Sequence, residues 1–271
     1  MGRPRKRHVQ QPLYFGEKNG QRRGDPSRRK RTKGVKLGRP PKGKRSSERH
    51  ERREAFRASE PVHVTLRVAD DIARLGLRKR SVYSAVREAM LVTFGREDCR
   101  IVHLSIQDNH VHLLVEADNR LALAAGMKAF EISAAKHINA SVSRAGSWWE
   151  RRRMRVKPKR RKGSVFPDRY HAEIIRTPRQ ARNALGYVLN NWRKHKEHRR
   201  DFARTWLIDP YSTGWSFDGW KERANEPFVW KLRASYEPIM SWRPRTWLLS
   251  EGWRRYGLVS VYEVPGARPT A

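Results

Sequence analysis

The sequence predicts an α+β fold, with a ferredoxin-like antiparallel sheet of the split βαβ type and helices on one face. In residues 60–198, four segments alternate apolar and polar side chains, and three others carry apolar side chains at helical spacing. Their order is strand, helix, strand, strand, helix, strand, helix. Residues 1–59 and 199–271 lack this pattern, so we expect a disordered basic N-terminal tail and a small Trp-rich C-terminal extension.

The first half of the domain supplies one strand, one helix and a hairpin. Residues VHVTLRV (Val62–Val68) alternate as a strand, and apolar side chains recur at helical spacing over Arg78–Gly95. The segments CRIVHLSI and HVHLLVEA flank the polar residues QDN, which predicts two strands joined by a turn.

The second half supplies the remaining three elements. Residues Arg120–Arg144 are predicted to form a long helix, Tyr170–Arg176 a strand and Thr177–His198 the last helix. Thr177 is suited to the N-cap of that helix, and Pro178 is suited to its first turn.

The charge balance of the chain indicates a polyanionic partner. There are 61 Lys and Arg against 27 Asp and Glu, a formal net charge of +34, which favours nucleic acid over a membrane surface. No run approaches the ~20 apolar residues of a membrane-spanning helix, and the N-terminus has no apolar signal region. We therefore expect a cytoplasmic, nucleoid-associated protein. The single cysteine, Cys99, excludes an internal disulfide and a zinc cluster built on cysteines.

Two segments of the tail repeat a Gly-Arg-Pro core followed by basic residues. They are GRPRKR (Gly2–Arg7) and GRPPKGKR (Gly38–Arg45). They resemble AT-hooks, in which extended Gly-Arg-Pro lies in the minor groove of AT-rich DNA. A generic phosphate-binding tail is the alternative interpretation. The residues of the tail predicted to bind DNA are Arg3, Arg5 and Arg39.

A second basic segment, WWERRRMRVKPKRRKG (residues 148–163), lies between the long helix and the last strand. We expect an exposed loop that contacts the DNA backbone, and a merely solvated charge run is the alternative. The predicted DNA contacts in and beside this loop are Arg151, Arg152, Arg153, Lys159, Arg160, Arg161 and Arg169. The Trp-rich extension is interpreted as a packed subdomain rather than a surface for stacking bases, and its role stays open.

His110 and His112 lie on the same side of their predicted strand, because side chains of a strand alternate between its faces. They are placed to bind one metal ion, although a His-hydrophobe-His triplet alone is a weak signal. In the last helix, Tyr187 and Asn191 are four residues apart and share a face. If this helix packs beside the histidine strand, Asn191 supplies an oxygen ligand and Tyr187 a nucleophile. The alternative for Tyr187 is an aromatic residue packed against the sheet.

The other polar side chains of the strands are interpreted as structural. His63, His103 and His171 are expected to pack in or beside the sheet, and Glu116 is given no role.

Residues 60–198 resemble a single-tyrosine HUH transposase of the insertion-sequence 200-like kind, and more narrowly the REP-associated tyrosine transposases. The resemblance rests on VHVTLRV, DNHVHLLVE, GSVFPDRYHAEIIR and ALGYVLNN, in that order. It implies that His110, His112 and Asn191 bind Mg²⁺ or Mn²⁺. It also implies that Tyr187 attacks a DNA phosphate, which gives a 5′-phosphotyrosine link and a free 3′-OH. The implied substrate is single-stranded, hairpin-forming DNA, cleaved and rejoined by a monomer or homodimer.

The chain departs from this family at one position of the last helix. Family members often follow the helix asparagine with proline, whereas Trp192 and Arg193 follow Asn191 here, so the helix is free to continue towards His198. Two other functions stay open. One is a non-catalytic DNA-binding or architectural protein that uses the same basic surfaces. The other is a replication initiator or relaxase, which the short chain without a P-loop disfavours.

Overall fold

The computed structural model of the protein describes residues 53–143, 161–199, 206–224 and 236–266. All of these residues belong to one compact unit, residues 46–271. The AT-hook-like segments and most of the basic loop 148–163 lie outside the described residues. Within the described parts of the chain, no helix is both long and apolar enough to cross a bilayer.

The centre of the unit is a four-stranded antiparallel sheet in the order β2-β3-β1-β4. Its strands are β1 (Val62–Arg67), β2 (Cys99–Ile106), β3 (His110–Ala117) and β4 (His171–Ile174). This order is that of a ferredoxin-like sheet, as the sequence predicts. The hairpin of β2 and β3 has the predicted bounds, because alternating β-branched residues on both sides of a short polar turn leave little freedom of register.

One face of the sheet is covered by helices α2 (Arg80–Leu91) and α3 (Arg120–Ser143), which confirms the predicted placement of the two crossover helices. The predicted first helix is shorter than expected, because its last residues form a 3₁₀ turn, Val92–Gly95. A short helix that the sequence pattern did not predict, α1 (Asp70–Leu75), precedes it. The buried side chains of this face form one apolar core. They include Val62, Val64, Leu66, Val111, Leu113, Val115, Met127 and Phe130.

Helix α3 approaches β2 closely at Gly126. A Cβ atom there would lie 2.3 Å from the Cys99 sulfur, so only glycine fits. Cys99 is a buried packing residue, and burial raises the pKa of its thiol to about 12. This agrees with its interpretation from the sequence.

Helix α4 (Pro178–Lys194) lies on the opposite face of the sheet. Its start is fixed by a reciprocal capping box, in which the Thr177 hydroxyl accepts from the Gln180 backbone N–H and the Gln180 side chain accepts from the Thr177 backbone N–H. The helix continues past Asn191, as the absence of proline predicts, but it ends before His198. Lys196 has a left-handed φ of 57° and terminates it.

A second apolar core joins α4 to the Trp-rich extension. The apolar face of α4 packs with Val102 and Leu114 of the sheet and with α5 (Trp247–Ser250) and the 3₁₀ turn Gly252–Tyr256. Trp220 and Trp253 are buried in this core, so these rings pack as the sequence indicates, although against α4 and the sheet and not within a subdomain of their own.

Two groups of buried polar interactions hold the C-terminal extension on the domain. The Glu116 carboxylate of β3 accepts hydrogen bonds from the Arg245 and Thr246 backbone N–H groups and the Thr246 hydroxyl, at 2.8–3.0 Å, and it also pairs with Arg100. The Arg78 guanidinium donates to both oxygens of Asp209, at 2.7 and 3.0 Å. Glu116, given no role from sequence, therefore holds the C-terminal extension on the sheet.

Candidate active site

Two histidines of β3 bring their ring nitrogens together on the face that α4 covers. The Nε2 atoms of His110 and His112 are 2.9 Å apart, and the two rings are nearly perpendicular at 86°. The alternation of the strand explains this arrangement, because residues i and i+2 point to one side. The predicted pairing of these two imidazoles is thus present in the structure.

The Nδ1 atoms of both histidines have hydrogen-bond partners, so a tautomer that leaves both Nε2 atoms as acceptors is available. Nδ1 of His110 is 2.5 Å from Oδ1 of Asn109, a geometry in which the imidazole N–H donates. Nδ1 of His112 is 3.1 Å from both the Thr65 hydroxyl and Nε2 of His63. In that tautomer two lone pairs would face each other at 2.9 Å, and a cation between them would relieve their repulsion; in the other, the same contact is an N–H···N hydrogen bond.

Burial keeps this group of histidines neutral. It lowers the pKa of His110 to about 4 and that of His63 to about 4. Burial and then the neighbouring imidazoles lower the pKa of His112 to about 2. Neutral imidazole is the form that binds metal, so coordination near neutral pH needs no release of a proton from these rings.

Helix α4 places Tyr187 against the histidines. The centre of its ring is 5.1 Å from that of His112 and 5.7 Å from that of His63, both edge-on. The Lys194 ammonium lies 4.9 Å from the centre of the same ring, two turns further along the helix. Tyr187 is partly exposed, so it faces the cluster without being sealed in the core.

Asn191 lies on the same side of α4 as Tyr187, one turn later. Its side chain is fully buried, and neither its amide oxygen nor its amide nitrogen has a hydrogen-bond partner in the described parts of the chain. An unpaired buried amide costs about 1–3 kcal/mol. Such a group is common at functional sites, where a ligand supplies the missing partner.

The donor set of this cluster fits a hard divalent ion with mixed nitrogen and oxygen ligands. Two ligand atoms about 2.1 Å from an octahedral ion and at a right angle to each other are about 3 Å apart, which matches the separation of the imidazole nitrogens. The buried Asn191 amide, on the helix face of Tyr187, has an oxygen without a hydrogen-bond partner in the described residues. In those residues, no group of three His, Cys, Asp or Glu side chains is arranged to hold an ion, so a third protein ligand would have to come from another residue type, such as this amide.

Comparison with known proteins finds one family that residues of this domain match. Residues 63–191, just under half of the chain, match the family described as "Transposase IS200 like". This segment is similar to the IS200-like transposases, and we refer to it as the transposase domain. The transposase domain is also similar to a solved structure of a REP-associated tyrosine transposase bound to a REP hairpin. That similarity covers 72% of this chain and 100% of that chain, at 15% identity and a TM-score of 0.43. No curated protein matches the chain.

The structure brings together some of the predicted site residues of the transposase domain. Tyr187 and the two histidines of β3 are in contact, and Asn191 shares the helix face of Tyr187. Of the predicted DNA contacts, only Arg161 and Arg169 are described. Arg161 forms a bidentate ion pair with Asp71 and donates to Asn139, so it already has partners within the protein. The others, Arg3, Arg5, Arg39, Arg151, Arg152, Arg153, Lys159 and Arg160, lie outside the described residues.

Three residues of the site were not predicted from the sequence. His63 and Thr65 meet His112 across the β1-β3 ladder, where Thr65 lies directly opposite His112. Strand parity places both on one side of β1, but only the register of the ladder puts them beside His112. His63 packs beside the sheet, in agreement with its interpretation from the sequence, and its ring contacts both His112 and Tyr187. Lys194 was one member of a basic run that gave no sign of its position over Tyr187.

Proposed function

We propose that the transposase domain cleaves and rejoins single-stranded DNA through a covalent bond to Tyr187. The observation that carries this proposal is the meeting of the Tyr187 ring with His112, at 5.1 Å, beside an imidazole pair with converging Nε2 atoms. A phenol beside such a cluster is suited to attack on phosphorus, because an ion held by the cluster would favour phenolate and would neutralise charge on the phosphate.

In the proposed reaction, the Tyr187 oxygen bonds to the phosphorus and the P–O3′ bond breaks. The phenolic proton is lost and the 3′ oxygen gains one, so the products are a 5′-phosphotyrosine and a free 3′-OH. Attack of a second 3′-OH on the phosphotyrosine reverses these changes and joins a new strand. The phosphodiester energy is retained in the tyrosine ester, so rejoining needs no ATP.

His110, His112 and Asn191 would hold a Mg²⁺ or Mn²⁺ ion. The ion would polarise a non-bridging phosphate oxygen and stabilise charge in the transition state. His63 and Thr65 orient His112 through its Nδ1 atom, and Asn109 does the same for His110. The Lys194 ammonium lies over the Tyr187 ring.

The proposed substrate is hairpin-forming single-stranded DNA, bound in the cytoplasm by a monomer or homodimer. The net charge of +34 supports a polyanionic ligand. The basic loop 148–163 and Arg169 are proposed to contact phosphates beside the hairpin. The two AT-hook-like segments of the tail are proposed to bind AT-rich duplex DNA.

A denaturing gel tests the proposal. The full chain is incubated with labelled hairpin DNAs from its genomic neighbourhood, with Mg²⁺, Mn²⁺ or EDTA. We expect a metal-dependent covalent adduct that Tyr187→Phe abolishes. A matched control is Tyr83→Phe, which removes a hydroxyl bonded to the Glu237 carbonyl on the opposite face of the sheet. Its adduct should persist. If wild type and both variants bind the hairpins but form no adduct, the non-catalytic interpretation is favoured instead.

A further inference from the structure

The candidate site is built from two elements that are far apart in the sequence. The imidazole pair lies at the start of β3, directly after the hairpin turn, whereas Tyr187 and Asn191 lie on α4. The apolar core beneath α4 holds this helix against the sheet. Apolar contacts are not directional, so they do not by themselves fix the position of the helix along its axis. Directional polar bonds that link the hairpin to α4 would fix it.

Arg78, which lies between α1 and α2, holds the hairpin at the point where its turn begins. The Nη1 atom of its guanidinium donates to the carbonyl of Ile106, the last residue of β2, at 2.7 Å. The turn that follows contains Asn109, whose side-chain oxygen is 2.5 Å from Nδ1 of His110. Arg78 is therefore bonded to the hairpin that carries the imidazole pair.

The same guanidinium group reaches the chain directly after α4. Its Nε atom lies 3.0 Å from Oε2 of Glu197, and both side chains are almost completely buried. Glu197 begins the 3₁₀ turn that follows Lys196, where the left-handed φ ends the helix. Only Lys196 and the C-cap residue His195 separate Glu197 from α4, so this ion pair restrains the last turn of the helix.

Asp209 of the C-terminal extension is a further partner of Arg78. Its carboxylate accepts from Nη1 and Nη2 of the guanidinium, at 3.0 and 2.7 Å. Arginine is suited to this position, because its planar guanidinium has five N–H donors in fixed directions and stays charged throughout the ordinary pH range. One buried side chain thus contacts the hairpin, the extension and the chain at the end of α4.

We propose that Arg78, through Glu197, is a positioning residue that sets where Tyr187 lies relative to the imidazole pair. This inference rests on the proposed function of the domain. Tyr187 is two helical turns before the end of α4, and its ring contacts that of His112, so a shift of the last turns would move the phenol relative to the imidazoles. A misplacement of about 1 Å at a reacting centre lowers the rate on the order of 100-fold.

Two matched substitutions separate the position of the helix from general stability. Glu197→Gln removes the carboxylate at the end of α4, and Asp209→Asn removes that of the extension. Either variant leaves Arg78 with one carboxylate partner, so neither leaves an uncompensated charge in the interior. Asp209→Asn weakens two charge-assisted hydrogen bonds, so it should lower the melting temperature at least as much as Glu197→Gln does.

The rate of adduct formation is measured with full-length protein in excess over labelled hairpin DNA, in Mn²⁺, at several protein concentrations. We expect Glu197→Gln to lower the maximal rate at least about ten-fold and to change the half-saturating concentration less than about two-fold, because binding of the hairpin does not depend on the phenol. Asp209→Asn should keep the maximal rate within about two-fold of wild type. The proposal is overturned if Glu197→Gln keeps the wild-type rate, or if Asp209→Asn slows the reaction as much as Glu197→Gln.

Hydrogen exchange of the DNA-free proteins gives a readout that does not depend on the chemistry. Glu197→Gln should speed exchange of the backbone amides of residues 189–195, at the end of α4, and Asp209→Asn should leave these amides unchanged. Equal exchange of this segment in wild type and Glu197→Gln would overturn the proposal.

The two readouts also separate this inference from the proposed function. If wild type forms the adduct and Glu197→Gln matches it in both rate and exchange, the proposed function stands and the positioning role of Arg78 is excluded. If wild type forms no adduct but only Glu197→Gln loosens the end of α4, Arg78 restrains the helix and the proposed chemistry is wrong.

Discussion

The two faces of the sheet differ sharply in composition, although alternating residues of the same strands build both. On the face that α2 and α3 cover, β1 and β3 present Val64, Leu66, Leu113 and other aliphatic side chains in one continuous core. On the face that α4 covers, the same strands present histidines, Thr65 and Glu116. The first face stabilises the sheet through burial. On the second face, polar side chains take positions that apolar side chains occupy on the first, and they form the candidate site. The C-terminal extension covers this second face and is held there by buried hydrogen bonds and ion pairs.

Substitutions at two adjacent residues of β3, one on each face, should differ most in their effects on activity and stability. We expect His112→Ala to reduce adduct formation by at least about 100-fold, because it removes a proposed metal ligand. Leu113→Ala should instead lower the free energy of unfolding by about 2–5 kcal/mol by opening a cavity. Urea unfolding and the adduct assay on both variants measure the two effects. If both variants lost adduct formation and stability to the same extent, the two faces would not have the different roles described.

Removal of the Glu116 carboxylate should destabilise the second face. We expect Glu116→Ala to lower the free energy of unfolding by about 3–5 kcal/mol. It leaves buried Arg100 and three hydrogen-bond donors of residues 245–246 without their partner. Hydrogen exchange should locate the loss in the C-terminal extension and α4 before α2 and α3. The control is exposed Glu251→Ala, which should change stability by no more than about 0.5 kcal/mol. Uniform loss of protection over both faces would argue against this anchor.

Acid should weaken the face that carries the buried histidines. Burial lowers the pKa of His103 to about 4, so between about pH 6.5 and pH 4 the unfolded chain binds a proton that the folded chain does not. The stability due to neutral His103 is therefore full above about pH 6.5 and is lost as the pH falls towards 4. We expect His103→Gln to reduce the acid-induced loss by about 2–3 kcal/mol between about pH 7.5 and 4.5. Unfolding curves of both proteins, recorded over this pH range without added metal, measure the difference. If the His103→Gln variant kept the pH dependence of the wild type, the prediction would be contradicted.

The smallest expected effect is an increase in the free energy of unfolding. Asn191→Leu replaces a buried amide without partners by an apolar side chain of similar size, so we expect about 1–3 kcal/mol of added stability in metal-free buffer. The same variant should lose the increase in melting temperature that Mn²⁺ gives the wild type. A destabilised Asn191→Leu protein that still responds to Mn²⁺ would indicate that the amide has a structural partner and no role at the metal.

The fold could be predicted from the sequence because its strands alternate clearly and its hairpin turn is short. The pairing of His110 with His112 followed from parity alone, within one strand. His63 and Thr65 could not be placed, because their contact with His112 depends on the register between β1 and β3. The function of Glu116 was equally hidden, since its partners, residues 245–246, are distant in sequence and belong to an extension with no regular period. The contacts of His63, Thr65 and Glu116 cross between elements and need the tertiary structure, whereas the pairing of His110 with His112 within one strand does not.

The most direct test of the central claim is to locate the covalent bond between protein and DNA. Trypsin cleavage after Arg182 and Arg193 releases residues 183–193, NALGYVLNNWR, which contain one tyrosine. After reaction with a short single-stranded hairpin and Mn²⁺, mass spectrometry should find a nucleotide attached to this peptide through Tyr187. A nucleotide on any other residue, or a cleaved strand with no modified peptide, would contradict the proposed tyrosine mechanism.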